Sequence, residues 1–129
     1  MNIKIRSTNF GLTPPISDYV SKKILSLEKF LDEDVKDTTL CEVEIGKTSN
    51  HHKSGDIFKA EVNITAPGHK QIYVVAEEGD LSTAIDIVRD EAERLLISQK
   101  KKRGTLLRRG GARIKQLLKM IDIRPKRWR

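Results

Sequence analysis

The chain reads IFKAEVNITA at residues 57–66, PG at residues 67–68 and KQIYVVAE at residues 70–77, and this stretch decides the fold. Apolar and polar side chains alternate through residues 57–66, which is typical of a strand with one buried face. The Pro-Gly pair is typical of a turn, and residues 70–77 return as a second strand rich in β-branched and aromatic residues. The stretch therefore predicts an antiparallel hairpin.

Two more strands are predicted before this hairpin. Residues 2–9 place Ile3 and Ile5 on one side and charged side chains on the other, and residues 39–47 alternate in the same way. The polar residues 48–55 are predicted to form a loop. Alternation on every strand indicates that one face of the sheet is buried and the other is partly solvated.

Two amphipathic helices are predicted as well. Residues 16–31, ISDYVSKKILSLEKFL, place apolar side chains on one helical stripe after a proline pair that a first turn tolerates. Residues 81–96 repeat this spacing, with Asp80 or Ser82 as the N-cap, and this second helix stops near Gly104.

The order of these elements predicts the fold class. A right-handed crossover through the first helix sets the first two strands parallel, and the remaining strands continue antiparallel. Both apolar helix stripes must cover the same sheet face. We therefore expect an α+β protein: a β-α-β-β-β-α two-layer sandwich whose four-stranded sheet carries two helices on one face.

Length and composition narrow the class of protein. A chain of 129 residues fits one domain, and its 37% of apolar residues suffices for a core. The single cysteine excludes an internal disulfide and favours a reducing compartment. No apolar run approaches the ~18 residues of a membrane span, and the first residues lack the apolar stretch of a signal peptide. These features indicate a cytoplasmic protein.

Charge is unevenly distributed along the chain. The net charge is +7, yet residues 1–98 hold 12 basic and 17 acidic groups, whereas residues 99–129 hold 13 basic groups and one acidic group. Such asymmetry indicates a polyanionic partner, either nucleic acid or an anionic membrane face. The alternative is a solvated basic tail.

Two segments resemble the ribosome hibernation promoting factor family, also called the sigma-54 modulation or protein Y family. They are residues 16–31 and GDIFKAEVNITAPGHKQIYVVAEEGDLSTAIDIVRDEAERLL at residues 55–96. The most characteristic positions of the second segment are Asp80, Ala84-Ile85-Asp86, Asp90 and Arg94-Leu95. The chain departs from the family pattern at Ser82, where an aromatic is frequent, and at Leu96, where a glutamine is frequent.

The resemblance covers about residues 1–103 and implies both a fold and a function. The implied fold is similar to the double-stranded-RNA-binding domain with an added first strand. The implied function is binding to the small ribosomal subunit near the decoding centre, where the protein blocks mRNA and tRNA by occupancy as growth slows or under stress. Longer members carry a further domain that pairs ribosomes. This chain looks like the short form, with a ribosome-binding domain at residues 1–103 and a basic tail at residues 104–129.

The cations of the helices and the tail are the candidate RNA-binding residues, because Lys and Arg side chains release counterions from a polyanion such as rRNA. They are Lys22, Lys23, Lys29, Arg89, Arg94, Lys100, Lys101, Lys102, Arg103, Arg108, Arg109 and Arg113. For each lysine of the first helix the alternative is a solvated helix face. The acidic side chains of the second helix are a difficulty, and we expect some of them to face away from RNA.

The tail after residue 104 is itself patterned. Ile114, Leu117, Leu118 and Ile121 have helical spacing, with Lys115 and Lys119 off that stripe, which predicts a short basic amphipathic helix. Folding back on the domain, folding on RNA and lying on an anionic membrane all stay open, and we favour RNA. Trp128 is a candidate for stacking on a base, with a frayed terminus as the alternative.

Signals for catalysis are weak. His51, His52, His69 and Cys41 match no zinc-site spacing, Cys41 is expected to be a buried small residue, and no nucleophile or phosphate-cradling motif is present. We therefore expect no enzyme, cofactor, metal, small-molecule substrate or DNA partner. Three hypotheses remain: a ribosome-bound translation inhibitor, a general RNA-binding regulator or chaperone acting off the ribosome, and a membrane or protein adaptor that uses the tail.

Overall fold

The computed structural model describes residues 1–49 and 55–102, and the elements follow the predicted order. In chain order they are β1 (Asn2–Thr8), α1 (Pro14–Leu25), two short 3₁₀ turns (Glu28–Phe30 and Lys36–Thr38), β2 (Leu40–Ser49), β3 (Asp56–Thr65), β4 (Ile72–Glu78) and α2, described over residues 81–102.

The four strands form one mixed sheet in the order β1-β2-β3-β4. β1 and β2 are parallel, with Ile5 opposite Val43, because the α1 crossover returns the chain in the same direction. The β2–β3 and β3–β4 pairs are antiparallel, and Val62 lies opposite both Val43 and Val74. The predicted α+β sandwich and its hairpin are confirmed.

The core lies between one sheet face and the two helices. Val43 and Val62 of the sheet pack in one cluster with Ile24 of α1 and Ile85 of α2, and all four side chains are at most 1% exposed. Burying an aliphatic side chain of this size contributes about 1.5–3 kcal/mol. This burial explains why both helices share one face and leave the other face of the sheet open.

α1 is shorter than its apolar stripe predicts. The stripe continues to Leu31, yet the helix ends at Leu25. The Ser26 hydroxyl donates to the Lys23 carbonyl at 2.5 Å, and the Leu27 N–H bonds the carbonyl three residues back, so the chain tightens into a 3₁₀ turn. Leu27 and Leu31 are nevertheless buried, because both the α-helix and the tighter turn bring them over the sheet.

Side-chain contacts and strand pairing explain where α2 begins and where β2 ends. Asp80 is the N-cap of α2, since its Oδ2 accepts the Thr83 N–H at 3.1 Å and the Ser82 hydroxyl at 2.5 Å. These donors lower the pKa of Asp80. β2 extends past the predicted loop boundary to Ser49, because Lys47 forms an ion pair with Asp56 at 3.2 Å and the strand stays paired with β3.

Candidate nucleic-acid interface

A groove of about 580 Å³ runs along the outer surface of the helix layer, between α1 and α2. It is lined by Tyr19, Lys22, Lys23, Ser26, Arg89 and Asp90. Three of the predicted RNA-binding residues therefore meet in one place, although residues 22–23 and residue 89 are far apart in the sequence. The groove forms because both helices turn their apolar stripes to the sheet and their polar sides outward.

Asp86 links the two helices across this groove. Its Oδ1 accepts a hydrogen bond from the Tyr19 hydroxyl at 3.0 Å and lies 3.3 Å from the Lys23 Nζ. Burial and the Asp86 carboxylate raise the pKa of Tyr19, so the hydroxyl remains a donor. Lys23 is thus partly neutralised, whereas Lys22 is exposed and forms no ion pair with any residue of the described ranges.

Arg89 is the most enclosed cation of the groove, with a side chain only 15% exposed. Its Nε donates to the Ser26 hydroxyl at 2.9 Å, and its Nη1 donates to Glu93 at 2.7 Å and to Asp90 at 3.1 Å. These bonds occupy three of the five N–H donors of the guanidinium. The contacts position the end of α1 against the middle of α2.

The acidic residues of α2 are paired within the helix layer. Glu91 forms an ion pair with Arg94, whose hydrogen bonds lower the pKa of Glu91. Asp90 and Glu93 contact Arg89, as described above, and Asp86 contacts Lys23. Each of these four carboxylates therefore lies beside a cation of the helix layer, and the expectation that some of them face away from RNA stays a prediction.

The remaining described candidates extend the basic surface beyond the groove. Lys29 is exposed on the turn after α1, and its Nζ lies 5.2 Å from the centre of the Phe30 ring. Lys100 Nζ lies 3.7 Å from Asp32 Oδ1, and Lys101 and Lys102 are exposed on the last described turn of α2. Arg103, Arg108, Arg109 and Arg113 lie outside the described residues, as do His51 and His52.

Sequence reasoning missed three uncharged residues: Tyr19 and Ser26, which line the groove, and Phe30, whose ring centre lies 5.9 Å from the Arg89 guanidinium carbon. Tyr19 lies one helical turn before Lys23, which is a spacing that brings side chains together, and its ring is 5.8 Å from the Lys23 Nζ. That spacing was an available signal. Ser26 and Phe30 carried none, because their role depends on Arg89, 63 residues away from Ser26.

The sheet face opposite the helices has a different charge pattern. It carries Lys4, Arg6 and Lys59 together with Glu42, Glu44, Glu61 and Glu77. Acidic and basic groups alternate there, with Arg6 3.7 Å from Glu44 and Lys59 3.0 Å from Glu61. The candidate RNA-binding residues that the structure describes therefore all belong to the helix layer.

Other kinds of site receive no support from the described part of the chain. Residues 1–49 and 55–102 hold no group of three potential metal-ligating His, Cys, Asp or Glu side chains. Cys41 is buried, and this burial raises its pKa to about 12, which disfavours the reactive thiolate. None of the helices in these ranges is both long enough and apolar enough to cross a bilayer.

Comparison with known proteins points to one family. A family model described as "Sigma 54 modulation protein / S30EA ribosomal protein" matches residues 3–104. The chain is 28% identical over 113 residues to the ribosome hibernation promoting factor of Pseudomonas putida, which covers 88% of this chain and 100% of the relative.

Solved structures show the same architecture. The N-terminal domain of Thermus thermophilus protein Y superposes with a TM-score of 0.61 at 30% identity, covering 74% of this chain and 96% of that domain. A ribosomal subunit interface protein from Coxiella burnetii gives a TM-score of 0.60 at 19% identity, covering 78% of this chain and 99% of that one, and shows the fold alone.

Proposed function

Because the chain belongs to the sigma 54 modulation protein / S30EA ribosomal protein family, we propose that it is a hibernation factor that binds the ribosome and silences translation. The proposed site of binding is the rRNA of the small subunit near the decoding centre. There the protein excludes mRNA and tRNA by occupying their place. Ribosomes work in the cytoplasm, and the proposed activity is placed there.

The observation that carries this proposal is the groove between α1 and α2. Lys22 offers an exposed charge beside Lys23 and forms no ion pair within residues 1–49 and 55–102. Arg94, which does not line the groove, adds a 65% exposed cation on α2. Each phosphate that such a cation neutralises releases counterions, which is the main source of affinity for a polyanion. Structured RNA is recognised largely through its phosphates, its 2′-hydroxyls and its shape, and a rigid basic groove suits that mode.

The groove is held in a fixed shape before any RNA arrives. The Tyr19–Asp86 and Ser26–Arg89 hydrogen bonds tie its two walls together above a close-packed core. Fixing the walls in advance reduces the ordering cost of association. Arg89 is therefore assigned mainly a positioning role, because most of its donors are occupied within the domain.

The proposed contacts with rRNA come from three groups of side chains. The first is the groove with Lys22 and Lys23, together with Arg94 on α2 outside the groove lining, and the second is Lys29 beside Phe30. The third is the end of α2 and the start of the tail, which comprises Lys100, Lys101, Lys102, Arg103, Arg108, Arg109 and Arg113. Residues 1–103 form the binding domain in this proposal, and residues 104–129 extend its reach.

Silencing by occupancy requires no covalent chemistry from the protein. The family is one of ribosome-associated hibernation factors rather than enzymes. A compact two-layer domain blocks a cleft simply by filling it, provided that its affinity exceeds that of the displaced ligands. The buried core and the ion pairs of the helix layer keep the domain compact, so that it can fill such a cleft.

Co-sedimentation with vacant small ribosomal subunits, in competition with free duplex RNA, tests the proposal. We expect the protein to pellet with the subunits and to resist an excess of duplex RNA. Contacts to ~6–10 phosphates predict an affinity loss of about 10³–10⁵ between 50 and 200 mM salt. Equal affinity for duplex RNA and subunits would instead indicate a general RNA-binding regulator, and no binding at low salt would reject both.

A further inference from the structure

The open face of the sheet is arranged in rows across the four strands. One row reads Lys4, Glu42, Asn63 and Tyr73, and the next reads Arg6, Glu44, Glu61 and Val75. In these two rows cations lie at the β1 edge, carboxylates in the middle and apolar side chains at the β4 edge, whereas the next row holds Lys59 and Glu77. The apolar pair is notably accessible, since Tyr73 is 57% exposed and Val75 is 43% exposed.

The carboxylates of the middle strands are incompletely neutralised. Glu44 and Glu61 are direct cross-strand neighbours, a like-charge arrangement that costs stability unless a cation is near. Each has one cation within 4 Å, but Glu42 forms no ion pair within residues 1–49 and 55–102. The centre of this face therefore suits a partner that brings positive charge.

The chain itself contains a basic segment after α2, and the described end of α2 lies near the β4 edge of the sheet. The Gln99 Nε2 donates to the Lys70 carbonyl at 2.9 Å, so the last described turns of α2 lie beside the chain that leads into β4. The residues that follow, 103–129, contain ten cations and one carboxylate. The described part of α2 that precedes them ends beside the chain leading into β4, the strand that carries Tyr73 and Val75.

The reach of this segment is sufficient. Neighbouring strands are about 4.8 Å apart, so four strands span about 15 Å. Residues 103–112 precede the amphipathic stretch, and an extended chain covers about 3.3 Å per residue. The stretch at residues 113–121 can therefore lie anywhere across the sheet.

We propose that in the free protein the basic amphipathic segment 113–121 docks on the open face of its own sheet. Ile114, Leu117 and Leu118 cover Tyr73 and Val75, while the neighbouring cations face Glu42, Glu44 and Glu61. Docking gives the sheet a second apolar contact and neutralises its central carboxylates. It also withholds the tail cations until a stronger polyanion, such as RNA, displaces them. The docking itself does not depend on the proposed function.

Paramagnetic broadening in the full-length chain tests the docking. A nitroxide is attached at Ala112→Cys in a Cys41→Ala background, which leaves one reactive thiol. We expect the amide signals of Asn63, Tyr73 and Val75 to lose more than half of their intensity, and those of Lys22 and Ser26 on the helix side to lose little. About 1 M salt, where the Debye length is about 3 Å, should restore much of the signal.

Charge-reversed variants supply the matched comparison. Glu42→Lys with Glu61→Lys should remove most of the broadening, whereas Asp18→Lys with Glu33→Lys, the same charge change on exposed residues of the helix side, should leave it unchanged. Tyr73→Ser provides a second disruption that alters no charge and should also weaken the broadening. Every variant is first checked for native amide dispersion.

Three results would overturn the docking. The first is broadening that is uniform or absent, and the second is broadening concentrated on α1 and α2. The third is equal broadening in a mixture in which one copy of the protein carries the nitroxide and a different copy carries the isotope label. The last of these would mean that the tail meets a second copy of the chain rather than its own sheet.

Discussion

The Arg89 Nε donates a 2.9 Å hydrogen bond to the Ser26 hydroxyl, and this bond joins the middle of α2 to the residue that directly follows α1. Ser26 in turn donates to the Lys23 carbonyl, so the chain from α2 to the basic end of α1 is continuous. One enclosed guanidinium thereby fixes the position of the lysines that line the groove.

The first prediction concerns the stability that Arg89 provides. Arg89→Ala should lower the free energy of unfolding by about 1–3 kcal/mol, because it leaves partly buried hydrogen-bonding groups without their charged partner. Urea denaturation followed by circular dichroism measures the change. Arg94→Ala is the matched control, since its 65% exposed ion pair should contribute nothing measurable. Equal effects of the two variants would contradict the positioning role.

The second prediction compares a charge reversal on the helix layer with the same reversal on the open face of the sheet. Lys22→Glu should weaken binding to small subunits by at least about tenfold, equivalent to about 1.4 kcal/mol. It should also reduce the steepness with which the logarithm of the binding constant falls with the logarithm of salt concentration by about one. Lys4→Glu makes the same charge change on the open sheet face and should alter affinity less than about twofold. Fluorescence anisotropy across a salt series reads out both. If Lys4→Glu were the more damaging substitution, the interface would lie on the sheet.

The end of α2 provides a third prediction. Simultaneous reversal of Lys100, Lys101 and Lys102 to glutamate should reduce ribosome occupancy without unfolding the domain, because all three side chains are substantially exposed. Sedimentation with small subunits and a thermal melt are measured on the same preparation. Unchanged occupancy in the folded variant would remove this end of α2 from the interface.

Neighbouring residues of α1 give a fourth prediction. Ile24 is fully buried and Leu25 is 50% exposed. Ile24→Ala should therefore lower the free energy of unfolding by about 2–5 kcal/mol, whereas Leu25→Ala should change it by no more than about 0.5 kcal/mol. Chemical denaturation of both variants checks the face that α1 presents to the sheet, and a larger loss at Leu25 would show that this face is misassigned.

The N-cap of α2 makes stability depend on pH. Hydrogen bonds from Ser82 and Thr83 lower the pKa of Asp80. The ionised carboxylate therefore stabilises the fold above the unfolded-state pKa of about 3.9, and this contribution is lost as the pH falls through the lower folded-state value. Melts from pH 7 to pH 3 should show a smaller acid-induced drop in Tm for Asp80→Asn than for the unmodified chain. Identical pH profiles would show that Asp80 does not act as an ionised cap.

Much of the fold was predictable because it depends on periodicity. The alternation around Val62 and the stripe through Ile85 are local patterns, and each fixes which face is buried. The parallel pairing of β1 with β2 followed from one handedness rule. The end of α1 was mispredicted, because the spacing of Leu27 and Leu31 satisfies an α-helix and a 3₁₀ turn alike.

The site was only partly predictable, for a different reason. Lys22 and Lys23 could be placed outside the apolar stripe from the sequence alone. The pairing of Asp86 with Lys23 could not be predicted from the sequence, because it depends on how α1 packs against α2. Tyr19 and Asp86, which join the two helices, are 67 residues apart in the chain. The enclosure of Arg89 likewise arises only from tertiary packing.

The most direct test of occupancy is whether the protein displaces mRNA and tRNA from purified small ribosomal subunits. Fluorescently labelled initiator tRNA and a short mRNA are bound to the subunits, and the protein is then titrated at about 100 mM salt. The account predicts that both ligands are released in proportion to the protein bound, and that Lys22→Glu shifts the release curve to higher concentration. Subunits that are saturated with the protein yet retain both ligands would contradict it.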